Sequence, residues 1–244
     1  STFSSTSNPR GTAQYPNGET EGVIIPQGVT SIGKSAFYRW ETNNQPLVIP
    51  NSVTSIDAYA FEYWSSNNQP LVIPNSVTSI GATAFRGWTS NNQPLVIPDS
   101  ITSIGDYVFN GWTSNNQPLV IPNSVTSISN YAFYNWSSNN QPLVIPDSVM
   151  SIGSNAFWSW TSNNQPLVIP DSVTSIGSGA FNYWELVPYI EMKRTTPPTI
   201  ASSSAFTNQN NAPIYVPDES VDDYKTATNW VDLANRIFPI SEKP

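Results

Sequence analysis

The sequence predicts a repeat solenoid: short parallel β-strands and turns wound into coils that stack on one another. Three observations carry this. Trp recurs at 40, 64, 88, 112, 136, 160 and 184, always 24 residues apart. Phe keeps the same interval from 37 to 181, and Pro from 26 to 170. The third is compositional. Apolar residues make up 38% of the 244 and charged residues 11%, with 22 Pro. That mixture suggests disorder when it has no period, and a stacked repeat when it has one.

One unit, residues 65–88, reads SSNNQPLVIPNSVTSIGATAFRGW. Pro70 and Pro74 bracket Leu71, Val72 and Ile73. Proline has no N–H to give a ladder, so it marks strand ends, and the apolar triplet between predicts a short parallel strand. Val77 and Ile80 flank Thr78 and Ser79, predicting a second extended or corner segment. Glycine ends that segment in five of seven coils, with Asp57 and Ser129 in the other two. A left-handed backbone is therefore not obligatory there. Ala84, Phe85 and Trp88 fall at i, i+1 and i+4, which suits one helical turn with an apolar inward face.

One such unit has too few apolar side chains to fold alone. Stacked, equivalent residues form columns about 4.8 Å apart on the strand side. Phe61, Phe85, Phe109 and Phe133 should form one core column, and Trp64, Trp88, Trp112 and Trp136 another. Truncating one buried member to Ala should cost about 3–5 kcal/mol. The other reading of the Trp column is an exposed aromatic strip for sugar stacking.

The ends differ from the body. Residues 1–22 carry few apolar side chains and read as a polar arm or leader. The chain opens on Ser1 with no signal-peptide pattern, which reads as processed or trimmed. Residues 23–184 are the seven coils. Residues 185–244 read as a degenerate repeat and C-terminal helical cap. There, residues 196–206 (TPPTIASSSAF) are a worn copy, and Ile214-Tyr215-Val216-Pro217 repeats the strand. Ser220 with Asp223 predicts a capping box, and Trp230, Leu233, Ala234 and Ile237 predict a helical stripe.

Residues 73–85 (IPNSVTSIGATAF) resemble the BspA-like leucine-rich-repeat family, whose units share an IP-S-V-TSIG-AF pattern. The likeness covers roughly residues 23 to 240. Two departures stand out. Trp88 takes a place where the family usually has Cys or a small residue. Asn67, Asn68, Gln69 and Pro70 replace a Leu-x-x-Val strand entry and make it one residue longer. The resemblance implies a leucine-rich-repeat-like solenoid with short parallel β-strands, helical or 3-10 turns and a C-terminal α/β cap. It also implies a surface-exposed or secreted adhesion protein.

The composition excludes several chemistries. Net charge is -8, and the nine Lys and Arg are scattered, so no basic patch exists to neutralise phosphates. No run of 18 apolar residues exists to span a membrane. Cys and His are absent, which removes thiol nucleophiles, zinc–thiolate sites and the commonest general base. No cofactor and no metal site are expected. Asp99, Asp147 and Asp171 share a column with Asn51, Asn75 and Asn123. Because Asn replaces Asp freely just after a proline, the column reads as solvated turn residues rather than a carboxylate pair or calcium site. The Asn pairs, such as Asn67-Asn68 and Asn91-Asn92, predict a ladder of stacked amides. A Thr column that could order water is broken by Met150, which argues against ice binding. Asn135-Trp136-Ser137 matches the glycosylation pattern, as a lone occurrence.

The positions that vary between coils are more informative. They hold Tyr38, Arg39, Tyr59, Tyr63, Arg86, Tyr107, Tyr131, Tyr134, Trp158 and Tyr183, the side chains favoured at binding hot spots. The bland reading is drift on a solvated face. The sharp reading is a ligand-binding surface for protein or glycan partners on a cell surface. The corresponding function is non-enzymatic adhesion or binding, extracellular or at the cell surface. The alternative is a structural subunit of an extracellular filament or phage tail fibre, joined to copies of itself through the N-terminal arm.

Overall fold

A computed structural model describes residues 2–3, 23–41, 44–207 and 209–244. The chain is a parallel β-solenoid. Most coils contribute two short strands and one side made of turns; the Pro-bracketed triplet at 119–121 keeps only an isolated bridge, Val120 to Val96, and that at 143–145 is extended without strand pairing.

The first sheet is built from the Thr-Ser-Ile segments. Ser31–Ile32, Ser55–Ile56 and Ser79–Ile80 pair in parallel and in register, Ser on Ser and Ile on Ile. A second run continues from Ser103–Ile104 through Ser127–Ile128, Ser151–Ile152 and Ser175–Ile176 to Thr199–Ile200. The expected corner segment is thus a strand. The Ile members face inward and are almost wholly buried in most coils, while Thr54, Thr78 and Thr126 face out. Each of these threonines donates its hydroxyl to the Thr carbonyl one coil back. Thr2–Phe3 pairs with Ser31–Ile32 at the N-terminal edge, so the segment expected as an arm contributes a strand to the stack.

The second sheet comes from the Pro-bracketed triplets. Leu47–Val48 pairs with Val23–Ile24, Leu71–Val72 with Leu95–Val96, and Leu167–Ile169 with Ile190–Met192. Leu71 and Ile73 point into the core, 1% and 2% exposed, and Val72 between them points out. That is the alternation a strand requires.

The third side corrects one expectation. Ala84, Phe85 and Trp88 do lie inward, but on hydrogen-bonded turns and not on a helical turn. In a helix the backbone N–H groups are spent internally. Here alternate ones reach forward to the next coil: Tyr59 to Ala82, Phe61 to Ala84 and Tyr63 to Arg86, at 3.2, 2.8 and 2.8 Å between N and O. The N–H groups between them close local turns, Ala60 to Asp57 and Glu62 to Tyr59. Alternation is achieved by left-handed residues at Tyr59 and Tyr63, φ 62° and 63°. Among the described residues, only in the worn repeat does the equivalent stretch, Ser203–Phe206, tighten into a 3-10 helix.

The core is one continuous cluster. The Phe and Trp columns fill it as expected, with Trp64, Trp88, Trp112 and Trp136 at most 1% exposed, which leaves no exposed Trp strip among them. Successive Phe rings stack 5.1–5.8 Å apart from Phe37 to Phe206. Successive Trp rings stack 5.3–5.7 Å apart. Within a coil Phe meets Trp edge to face, the arrangement favoured by ring quadrupoles.

The Trp column is also a hydrogen-bond column. The indole N–H of Trp64 donates to the carbonyl of Phe37 at 2.6 Å, and Trp88 to Phe61 at 2.8 Å. Trp112, Trp136, Trp160 and Trp184 repeat the bond 27 residues back. Past the last coil, Gln209 Nε2 takes the Phe181 carbonyl and Arg236 Nη1 that of Phe206.

The expected amide ladder takes another form. Asn67, 1% exposed, donates to the Gln45 carbonyl and accepts from the Gln69 N–H. Asn68 accepts from the Asn92 N–H of the next coil, and Asn92 from Asn116. The amides brace neighbouring backbone, and Gln165 also donates its side-chain amide to Asn164.

Residues 185–239 continue the stack. Ile190–Met192, Ile214–Val216 and Ile237–Pro239 pair in parallel. A short helix, Val221–Thr226, starts after Ser220, whose side chain makes no capping bond. Trp230 and Leu233 are buried as expected, but Trp230 precedes the 3-10 helix Val231–Arg236 that carries Leu233, and Ile237 opens a strand.

Candidate binding strip

The ten variable-position residues lie together on the turn side, outward of the Phe and Trp columns. The local reason is the backbone alternation. Ala60, Phe61 and Trp64 turn in, and the left-handed Tyr59 and Tyr63 turn out. Arg39, Tyr107, Tyr131 and Tyr183 share that left-handed conformation, φ 57–62°. A bulky residue there costs about 1–2 kcal/mol, so these side chains hold their places against a backbone preference for Gly or Asn.

Contacts run along the coils almost without a break. Arg39 lies over the Tyr38 and Tyr63 rings, 5.4 and 5.5 Å from the centroids. Arg86 sits between Tyr63 and Tyr107 at 5.4 and 5.8 Å. Tyr107 and Tyr131 stack at 4.5 Å, Tyr134 and Trp158 at 4.6 Å, and Trp158 meets Tyr183 edge-on at 4.8 Å. Tyr131 bridges to Tyr134 at 5.5 Å. Tyr59 stands beside this chain of contacts with Lys34 over its ring at 5.6 Å. Lys34, Arg39 and Arg86 are the only cations in residues 23–184, and all three lie on this strip.

The strip is shaped coil by coil. A Cβ added at Gly87 would come within 2.6 Å of the Tyr63 ring, so glycine in one coil makes room for tyrosine from the coil before. Arg86 is pinned by Glu62, 3.4 Å away. Glu62 is 3% exposed, and burial raises its pKa against the opposing pull of Arg86 and Arg39. Burial, with Tyr131 close by, also raises the pKa of Tyr107 and Tyr134 above the ordinary tyrosine value.

Ring faces are largely taken. Tyr107 has Arg86 and Tyr131 near it, and Trp158 has Tyr134 and Tyr183. What the strip offers a partner is ring edges, tyrosine hydroxyls and guanidinium donors. The other candidates gather no site. Asp99 and Asp147 lie exposed on turns, and Arg194 donates to the Asp171 carbonyl at 2.7 Å. Among the described residues no group of three or more acidic side chains could hold a metal ion. No helix among them is long and apolar enough to cross a membrane.

Two features escaped the sequence reading. The indole donors gave no signal, because Trp reads first as an apolar mass. The outward Val column did, since an apolar residue between two inward ones must face out.

Coils of two short parallel strands and an aromatic turn side define a solenoid of the leucine-rich-repeat class. Residues 12–135 and 102–227 match the BspA type leucine-rich repeat region, with six copies, and the chain belongs to that family. No curated protein matches its sequence. Solved structures share the fold, among them these three. A leucine-rich repeat protein from Bacteroides ovatus superposes with a TM-score of 0.64 at 22% identity, covering 82% of this chain and 55% of that one. A leucine rich cell surface protein from Faecalibacterium prausnitzii gives 0.53 at 20%, covering 88% and 62%. The pneumococcal vaccine antigen PcpA gives 0.53 at 17%, covering 90% and 66%. The chain thus spans between 55% and 66% of the length of these proteins.

Proposed function

We propose that this chain is the non-enzymatic binding module of an extracellular or cell-surface protein, and that the aromatic–cation strip from Tyr38 to Tyr183 engages a protein partner. The observation that carries this is the near-continuous run of Tyr, Trp and Arg contacts over seven coils. These are the residue types that dominate protein interfaces, and Arg39, Tyr59, Tyr63, Tyr107, Tyr131 and Tyr183 are held at left-handed positions that do not favour them. Glycan binding by face-on stacking draws less support, because the flat faces are spent on neighbouring rings. The location rests on family membership and on two solved relatives, one a cell surface protein and one a vaccine antigen.

The fibre-subunit reading also draws less support. Thr2–Phe3 pairs with the first Ser-Ile strand at one edge. At the other, Asn229 and Trp230 take the carbonyls of Ile200 and Pro198.

The test presents the purified chain to arrays of extracellular protein ectodomains and of glycans. A variant with Tyr63→Asn, Tyr107→Asn and Tyr134→Asn should lose its protein signal with a melting temperature no lower than the parent's. Asn tolerates the left-handed backbone. Binding confined to glycans, or protein binding that the variant retains, would remove the strip from consideration.

A further inference from the structure

The outward face of the Leu-Val sheet carries a second surface, unrelated to the aromatic strip. Val48, Val72, Val96, Val120 and Val144 are 52%, 57%, 51%, 65% and 67% exposed and stand in one column. Two residues before each valine an exposed proline, such as Pro70, forms a parallel column. Neither row contains a charged residue. Exposed polar residues border both sides, the Asn68 row on one and the row of Asn75, Asp99 and Asp147 on the other. An apolar centre without charge inside a polar rim is the anatomy of an interface.

Comparison between coils points the same way. The outward Val is identical in all six coils from Val48 to Val168. On the turn side, the outward position of Tyr63 becomes Gly87, Gly111 and Asn135 in the following coils. Core packing explains the fixed Leu and Ile, but it does not reach a side chain half in water. Near the C-terminus the chain covers this column itself. Glu191 and Tyr215 occupy the Val position in register, at 2% and 8% exposed, and the tail residue Lys243 closes on Glu191 at 2.7 Å. The cover ends before Val144.

We infer that the Pro–Val face is a self-association surface, occupied by the same face of a second copy. The coil repeat supplies the first reason. Only a partner with the same spacing, about 4.8 Å per coil, keeps its side chains in step over five coils. Charge supplies the second. A two-fold axis parallel to the coil stack lays the carboxylate-bearing border of each copy against the Asn68 border of the other. An axis across the stack opposes Asp99 and Asp147 with their own row. Area supplies the third. Five coils by the width of the face give about 24 Å by about 20 Å, or roughly 1,000 Å² over both copies, the lower bound for a specific interface. The dimer is therefore reversible, and self-complementary as an isologous contact must be.

Sedimentation equilibrium of the intact chain over a hundredfold concentration range tests this. The weight-average mass should climb from the 26.8 kDa of one chain toward twice that value. With Val72→Glu, Val96→Glu and Val120→Glu it should stay at one chain. A Thr triple at the same sites, still β-branched, should weaken association at least tenfold with unchanged circular dichroism, so that a folding defect is not mistaken for lost contact. The Tyr63, Tyr107 and Tyr134 variant should dimerise like the parent. A parent chain that is monomeric throughout, or association that survives both Val triples, overturns the inference.

Discussion

Replacing Trp112 with Phe isolates what the indole N–H does. The ring column stays aromatic, so most stacking with Trp88 and Trp136, at 5.5 and 5.6 Å, is kept. What goes is the 2.8 Å bond to the Phe85 carbonyl, in a core where Trp112 has no exposure. An orphaned buried carbonyl costs about 1–3 kcal/mol. Removing the larger ring's extra atoms deletes roughly two to three methylene equivalents, about 2 kcal/mol. Together the change should destabilise by roughly 3–5 kcal/mol. For a chain of this size that lowers the midpoint by roughly 6–20 °C, read by far-UV circular dichroism on heating and checked by urea titration. Trp112→Gln provides the counterpart, since Gln209 already fills the donor role beneath the cap at 2.9 Å. It keeps a donor and loses the stack. A Trp112→Phe variant within about 1 kcal/mol of the parent would mean that the carbonyl needs no side-chain donor, and the hydrogen-bonded reading of the column would fail.

Other expectations follow from single sites. A Cβ at Gly81 would lie 2.3 Å from the Ala58 nitrogen, whereas at Gly105 the nearest atom is 3.5 Å away. Gly81→Ala should therefore cost about 1–3 kcal/mol and Gly105→Ala within about 0.5 kcal/mol, measured as urea midpoints. Arg236, 7% exposed, donates to the carbonyls of Phe206 and Ala212 and to Gln209. Arg236→Ala strands those acceptors and should cost about 3 kcal/mol or more, with the C-terminal amides losing hydrogen-exchange protection first. Glu191 is buried, which alone would raise its pKa, but hydrogen bonds and charges from Lys193 and Lys243 hold it below 4.5. A depressed folded-state pKa means stability that is present above 4.5 and lost as pH falls through the folded value. Glu191→Gln should flatten the acid limb of a melting-temperature profile below pH 4.5. Glu62, by contrast, should titrate above 4.5 by NMR, and higher again in Arg86→Gln.

How much of this was legible depends on what the period encodes. Stacking, strand position and the Phe and Trp columns follow from residue type at fixed intervals, because burial selects apolar side chains and proline marks strand ends. The turn side was misread for a physical reason. Spacing at i, i+1 and i+4 reports which side chains face inward, not how the backbone spends its N–H groups. Helix and turn ladder bury Ala84, Phe85 and Trp88 equally well. What separates them is the left-handed pair, and its signal was diluted: Gly87, Gly111, Gly179, Asn135 and Asn155 hold those positions in some coils, but Tyr59, Tyr63, Arg39 and Thr83 hold them in others. The strip residues were singled out by their variation between coils. Their mutual contacts were not legible, because which coil's ring lies over which neighbour depends on that same backbone.

The ends of the stack show what the period demands. Each coil leaves a Phe carbonyl that only the next coil can reach, so a solenoid cannot stop without leaving one unpaired. Here the demand passes from Trp184 to Gln209 and then to Arg236, three side chains with little in common except an N–H donor aimed at the same row. Arginine suits the last place, having five donors: it takes the Phe206 and Ala212 carbonyls and the Gln209 amide oxygen together. Burial without a carboxylate lowers its pKa, but carbonyl and amide oxygens replace the water it loses. Termination is thus a hydrogen-bonding problem before it is an apolar one. Leu in place of Arg236 would fill the space and still leave the stack unfinished.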